Sequence, residues 1–181
     1  MTTAWLAATA ALEPNCSKPA EMSLFTKIIR KEIPSCKVGA GELWYAFLDI
    51  NPRRAGHTLV VPVEEKQRLA ELSAESRAAL MEGVADAQRR LGKVFDTQDF
   101  TVVLHDGPLA GQEVPHVHVH VMPRKPNDFA RNDDIYEKLE TCEEEERKAR
   151  VDADETRKAR SEEEMEKEAT EIRRAMMETT W

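Results

Sequence analysis

The chain has 181 residues, of which 41% are hydrophobic, 6% aromatic and 33% charged, and its formal charge is −8. That composition supports one modest core plus an appendage, and it offers no run of about 18 apolar residues that would cross a bilayer. Residues 132–178 hold 18 acids and 10 bases, so they carry the entire charge excess and the rest of the chain is balanced. A balanced body with an acidic tail lacks the basic surface that non-specific nucleic-acid binding requires. A small anionic ligand is not excluded, because a pocket works through local donors. Cys16, Cys36 and Cys142 are odd in number and scattered. They fit neither a disulfide framework nor a clustered zinc site, and point to a reducing, cytoplasmic setting.

Residues 1–22 read as a loose, alanine-rich extension interrupted by Pro14, Asn15, Ser17 and Pro19. No Lys or Arg precedes the mildly apolar stretch 4–12, so neither a secretory nor a transit signal is expected. The body is expected over 23–136. Residues 24–30 (LFTKIIR) form a short helix candidate ended by Pro34. Residues 43–48 (LWYAFL) and 57–63 (HTLVVPV) read as two strands of a long-looped hairpin, with Pro62 at an edge or a strand end. Residues 73–95 are the clearest helix. Ser73 caps it, Glu75 suits its first turn, and Leu80, Val84, Ala87, Leu91 and Val94 make one core-facing stripe. Residues 100–105 (FTVVLH) and 116–122 (HVHVHVM) are two further strands. They flank a glycine-punctuated loop, and Pro123 stops the second.

Residues 137–160 are expected to be a charged, solvated spacer. Residues 161–181 form a C-terminal unit whose helix, 161–177, starts with a Ser161–Glu164 capping box. Met165, Ala169, Ile172 and Met176 give that helix one apolar face. Strands around one long packing helix, without a regular βαβ rhythm, predict an α+β fold with an antiparallel sheet.

His116, His118 and His120 alternate with Val117, Val119 and Val121. On a strand, the valines would enter the core while three imidazoles share the other face. Three chemistries compete for that row. The first is plain surface polarity, although polar strand faces usually mix Thr, Lys and Glu. The second is a metal site, which would normally recruit a carboxylate that does not alternate here. The third is nucleophilic catalysis on phosphorus by a neutral imidazole. The loop 107–115 favours the third, because glycines let backbone N–H groups approach an anion and Gln112 adds an amide donor.

The row His116-Val117-His118-Val119-His120-Val121 resembles the histidine-triad signature. So does the upstream Asp49-Ile50-Asn51-Pro52 with Gly56-His57. The loop from Asp106 to Pro115, the segment from Pro123 to Phe129 leading into Asn132-Asp133-Asp134-Ile135-Tyr136, and the tail at Arg160–Met165 are similar to the fragile-histidine-triad branch. The resemblance implies a homodimeric dinucleoside polyphosphate hydrolase that splits diadenosine triphosphate into AMP and ADP. It implies that His118 is the nucleophile and that His120 bonds the scissile bridging oxygen. His116 and His57 would orient the nucleophile's ring. Asp49 would bind ribose, and Gly111, Gln112, Glu113 and Val114 would meet phosphate.

His105 stands where the branch usually carries Gln, beside the phosphate chain, and Glu113 stands where it carries Ser or Thr. No tightly bound cofactor is implied, though Mg²⁺ commonly accompanies the polyphosphate. The zinc-binding cysteines of other triad branches would fall at Ser23 and Thr26, so no structural zinc is expected. Two alternatives stay open. One is a nucleoside phosphoramidase or adenylyl-transfer enzyme of the same superfamily, and the other is a nucleotide-binding signalling module.

Overall fold

The computed structural model describes residues 22–128 and 161–177. The expected extension 1–22 (Met22 apart), the spacer 137–160, the Tyr136 segment and Cys142 lie outside the described residues.

Five strands form one antiparallel sheet: β1 (Lys37–Ala40), β2 (Trp44–Leu48), β3 (Thr58–Pro62), β4 (Phe100–Val103) and β5 (Val119–Pro123), in the order β1-β2-β3-β5-β4. Among the described residues, three α-helices accompany it: α1 (Leu24–Ile29), α2 (Ala74–Phe95) and α3 (Glu162–Met177). The architecture is the α+β arrangement that the patterning predicts. Among the described residues, no helix is long and apolar enough to cross a membrane.

The two faces of the sheet do different work, and strand alternation assigns them. Ala46 and Leu48 on β2, Val60 on β3, and Val119 and Val121 on β5 face one side. There they meet Leu80, Val84, Ala87 and Leu91 of α2 and Met165, Ala169 and Ile172 of α3. This is the main core, and the valines between the histidines are buried in it as expected. The intervening residues Phe47, Leu59 and Val61 face the opposite side, where Phe25 and Ile28 of α1 cover them. The histidines at even positions open on that second face.

The predicted hairpin is present, with Trp44 paired to Pro62 and Leu48 to Thr58. Pro62 sits on the last residue of β3, where a missing N–H costs least. Ser73 caps α2 by accepting from Ser76 N at 3.0 Å. The predicted capping box of α3 is also formed: Ser161 N donates to Glu164 Oε2 and Glu164 N to Ser161 Oγ, both at 3.2 Å.

Three expectations are corrected. β1 has no signal in the reading above, because Lys37-Val38-Gly39-Ala40 is short, contains glycine and pairs with β2 through an irregular register. α1 ends at Ile29 with Lys31 left-handed (φ 62°), well before Pro34. The last strand begins at Val119, so His116 and His118 precede the ladder. The backbone there finds one turn partner and one distant partner instead: His116 N donates to Val114 O at 2.7 Å and Val117 N to Lys66 O at 2.8 Å.

The β2–β3 connection is fixed at Gly56. Its φ is +80°, and an added Cβ would lie 2.5 Å from the Phe95 ring. Its N–H donates to Glu168 Oε1 of α3 at 2.5 Å. Gly56→Ala combines backbone strain with this clash, and is expected to cost about 1–3 kcal/mol. A lowered urea midpoint at unchanged m-value checks this.

Candidate active site

A cavity of about 380 Å³ opens between α1, the β2–β3 connection and the 105–114 loop. Phe25, Ile28, Phe47 and Leu59 make its apolar wall, and Asp49, His105, His118 and His120 make its polar end. Gly111, Glu113 and Val114 line it too. The structure therefore gathers most of the residues singled out from sequence into one hollow. Gln112 differs: it is absent from the lining, and its Nε2 donates to Gln67 O at 2.8 Å, tying the loop to the segment after β3.

Hydrogen-bond partners fix which nitrogen of each imidazole carries a proton. His116 Nε2 lies 2.9 Å from the Pro62 carbonyl oxygen, which only an N–H can satisfy. Its Nδ1 is then a lone pair, and accepts from the Ser23 hydroxyl at 2.7 Å. The carbonyl of His116 accepts from His118 Nδ1–H, also at 2.7 Å. His118 therefore presents a bare Nε2 to the cavity. Phe25 meets the His118 ring edge-on at 5.1 Å and holds it from the side.

A second relay runs the other way. The Arg53 N–H donates to His57 Nδ1 at 3.2 Å. His57 must then carry its proton on Nε2, which donates to His120 Nδ1 at 2.9 Å. That leaves His120 with Nε2–H toward the cavity. Neighbouring rings, 5.1 Å apart and nearly perpendicular at 69°, thus show a lone pair on His118 and a donor on His120. His57 was expected to orient the nucleophile. Its partner is His120, because the β3–β5 pairing brings it to that ring.

Burial keeps the row neutral. It pushes the His118 pKa below the ordinary imidazole value, against the opposing bond to the His116 carbonyl, and the nearby His105 pushes the same way. His120 is held well below that value by burial first and then by His57 and His118. His57 is lowered by burial, with Asp49 pulling it back and Arg53 adding to the decrease. His116 is lowered by burial, partly offset by the Pro62 carbonyl and Glu65.

Asp49, His57 and His120 bring one ligand atom each to within 4.8 Å of one another. Three of the four ring nitrogens there already serve the His57–His120 bond and the Arg53 amide. At Ser23 and Thr26 the hydroxyls are engaged with His116 and Glu65. Neutral hydroxyls spent in this way do not fit a zinc ion, which is held by thiolate, imidazole or carboxylate.

Comparison with known proteins identifies the family. A family model described as the HIT domain matches residues 30–127. The chain belongs to the HIT family. An Arabidopsis thaliana protein named bifunctional bis(5'-adenosyl)-triphosphatase/adenylylsulfatase FHIT is 37% identical over 134 residues, covering 74% of each chain. A bis(5'-adenosyl)-triphosphatase of Dictyostelium discoideum is 35% identical over 132 residues, covering 73% of this chain and 79% of its own. The crystal structure of a Hit-like protein from Bartonella henselae superposes with a TM-score of 0.65 at 26% identity, covering 84% of this chain and 95% of that one.

Four residues of this HIT site escape sequence reasoning: Ser23, Phe25, Arg53 and Glu65. Arg53 reaches His57, four residues on, through its backbone N–H, whereas Ser23, Phe25 and Glu65 act through contacts between distant segments, as in the 93-residue separation of Ser23 and His116. No local pattern encodes that.

The lowered imidazole pKa values set a pH dependence. Unfolded imidazoles titrate near about 6.5 and these folded ones lower, so the unfolded chain binds more protons between the two. Their contribution to stability is full above the unfolded value and is lost as pH falls from there through the folded values. The melting temperature should therefore fall as pH drops from 7 to 5, and a His118→Gln/His120→Gln double variant should flatten that slope. Calorimetry across the range checks both.

Proposed function

We infer that this HIT protein is a dinucleoside polyphosphate hydrolase that cleaves diadenosine triphosphate to AMP and ADP through a nucleotidyl-His118 intermediate. The observation that carries this reading is the pairing of a bare His118 Nε2 with a His120 Nε2–H at the polar end of an apolar-walled cavity. The apolar wall suits a purine, Asp49 stands where a carboxylate can accept from ribose hydroxyls, and the imidazoles stand where the α-phosphorus would lie. The relatives named as bis(5'-adenosyl)-triphosphatases support it.

In the first step His118 Nε2 donates its lone pair to the α-phosphorus. The bond from phosphorus to the bridging oxygen breaks, and ADP leaves with that electron pair. The leaving terminal phosphate has a second pKa near about 6. It needs charge stabilisation more than a proton, and His120 Nε2–H supplies a preorganised donor. Charge on the nucleotidylated imidazolium is delocalised toward Nδ1–H and its carbonyl partner. In the second step water attacks phosphorus and releases a proton to solvent. The P–N bond breaks with its pair returning to Nε2, and AMP departs.

His105 faces the same end of the cavity, with its ring 5.7 Å from His120, and adds a contact to the phosphate chain. Glu113 brings an anion to the rim, and so biases the site against extra phosphate charge there. No tightly bound cofactor serves the covalent step, and Mg²⁺ enters with the polyphosphate as part of the substrate. The active form is a homodimer joined through the β4 edge, where Val102 is 40% exposed. The compartment is the cytoplasm, consistent with Cys36 being a buried thiol.

His118→Ala is expected to lower kcat for diadenosine triphosphate by about 10⁴-fold or more. Quenched-flow mass spectrometry of the wild-type protein should place AMP on the peptide carrying His118. Ordinary turnover by the variant, or an unlabelled peptide, would sink the reading. A kcat/KM panel of diadenosine triphosphate, diadenosine tetraphosphate and an adenosine phosphoramidate ranks leaving groups, and the triphosphate is expected to lead.

A further inference from the structure

The nucleophile's geometry begins outside the histidine row. His116 is buried and its ring is held at both ends, by the Pro62 carbonyl on Nε2 and by Ser23 Oγ on Nδ1. The Ser23 hydroxyl has two acceptors in reach, His116 Nδ1 at 2.7 Å and Thr26 Oγ1 at 3.1 Å; the shorter contact is to the ring, whose neutral form with Nε2–H on the carbonyl offers only a lone pair at Nδ1. Ser23 Oγ also accepts from Thr26 N at 3.1 Å, closing the start of α1. Ser23 is fixed in turn. Its own N–H donates to Glu65 Oε1 at 3.1 Å, and the Thr26 hydroxyl donates to Glu65 Oε2. Partial burial pushes the Glu65 carboxyl up, yet these two donors outweigh it and keep the group below its ordinary value, hence anionic at neutral pH. This anion takes the Ser23 N–H and the Thr26 O–H, and so anchors the turn that carries Ser23 Oγ to within 2.7 Å of His116 Nδ1.

We propose that Ser23, held by Glu65 and Thr26, is a positioning residue for the reaction: its hydroxyl fixes the tautomer and orientation of His116, and the His116 carbonyl in turn holds His118 with Nε2 bare. This rests on the reading of His118 as the nucleophile. Ser23 does not line the cavity. It acts two hydrogen bonds away, through the His116 ring and main chain. Removing its proton leaves a buried Nδ1 lone pair without a donor, and the ring must shift to find one. The other tautomer offers no escape, because it would set the Nε2 lone pair against the Pro62 carbonyl oxygen.

Ser23 also caps a helix, so the test must separate capping from positioning. Asp caps a helix as well as Ser does, but an ionised carboxylate has no proton for His116. Thr keeps both functions. Expected results are a fall in kcat of about tenfold for Ser23→Ala and for Ser23→Asp, with KM for diadenosine triphosphate within about twofold, and recovery of kcat in Ser23→Thr. Full kcat in Ser23→Asp would show that only the cap matters and would overturn the proposal, as would failure of Ser23→Thr to recover.

A measurement on the wild-type protein stands independently of variant folding. ¹⁵N-edited NMR of the imidazoles should show His116 protonated on Nε2 and unprotonated on Nδ1, and the opposite tautomer would overturn the proposal. The two readings fail separately. If wild-type His118 is never nucleotidylated, the hydrolase reading falls. If it is nucleotidylated while Ser23→Ala and Ser23→Asp turn over at the wild-type rate, only the role of Ser23 falls.

Discussion

One hydrogen bond decides what the site can do. His118 Nδ1–H is given to the His116 carbonyl at 2.7 Å, so the ring has a single nitrogen left and that nitrogen has a lone pair. An imidazole free to change tautomer would present an N–H to phosphorus for much of the time. The flanking contacts act on this choice, from the side through Phe25 and from behind through the His116 ring.

The same economy explains why the rings are packed away from water. Four of the five histidines have their pKa values lowered, and desolvation leads in each. Neutrality serves two purposes at once: the nucleophile keeps its lone pair, and mutual repulsion within the row never builds up. The protein supplies the compensating hydrogen bonds from backbone groups and a hydroxyl: Arg53 bonds the His57 ring, and Pro62 and Ser23 together complete His116. A carboxylate also stands beside this relay, with Asp49 Oδ2 3.5 Å from His57 Nδ1. It opposes the effect of burial there without overcoming it.

Much of this was legible from the chain. The hairpin 43–63, the helix capped by Ser73 and the helix opened by Ser161 follow from periodicity, turn residues and capping chemistry, all of which act over a few residues. The alternation of valine and histidine foretold the two-faced strand. The division of labour among the rings was less accessible. His57 pairs with His120 because β3 and β5 are neighbours in the sheet, and sheet neighbours are chosen by tertiary packing. The early end of α1 at Lys31 and the late start of β5 have the same origin, since backbone groups there found non-local or turn partners. Gln112 shows the opposite limit. Its residue type suits an anion, but its side chain is engaged with Gln67 O.

Glu168 reaches across 112 residues of chain to the Gly56 amide, immediately before His57. The acid side of the site is therefore buttressed by the last described helix, while the residues it supports lie in the first third of the polypeptide. Loop closure over such a span is entropically slow. During synthesis, the sheet and its long helix have all their strands before that buttress leaves the ribosome. The scaffold can assemble first, and the turn beside His57 is secured only when the distal end folds back.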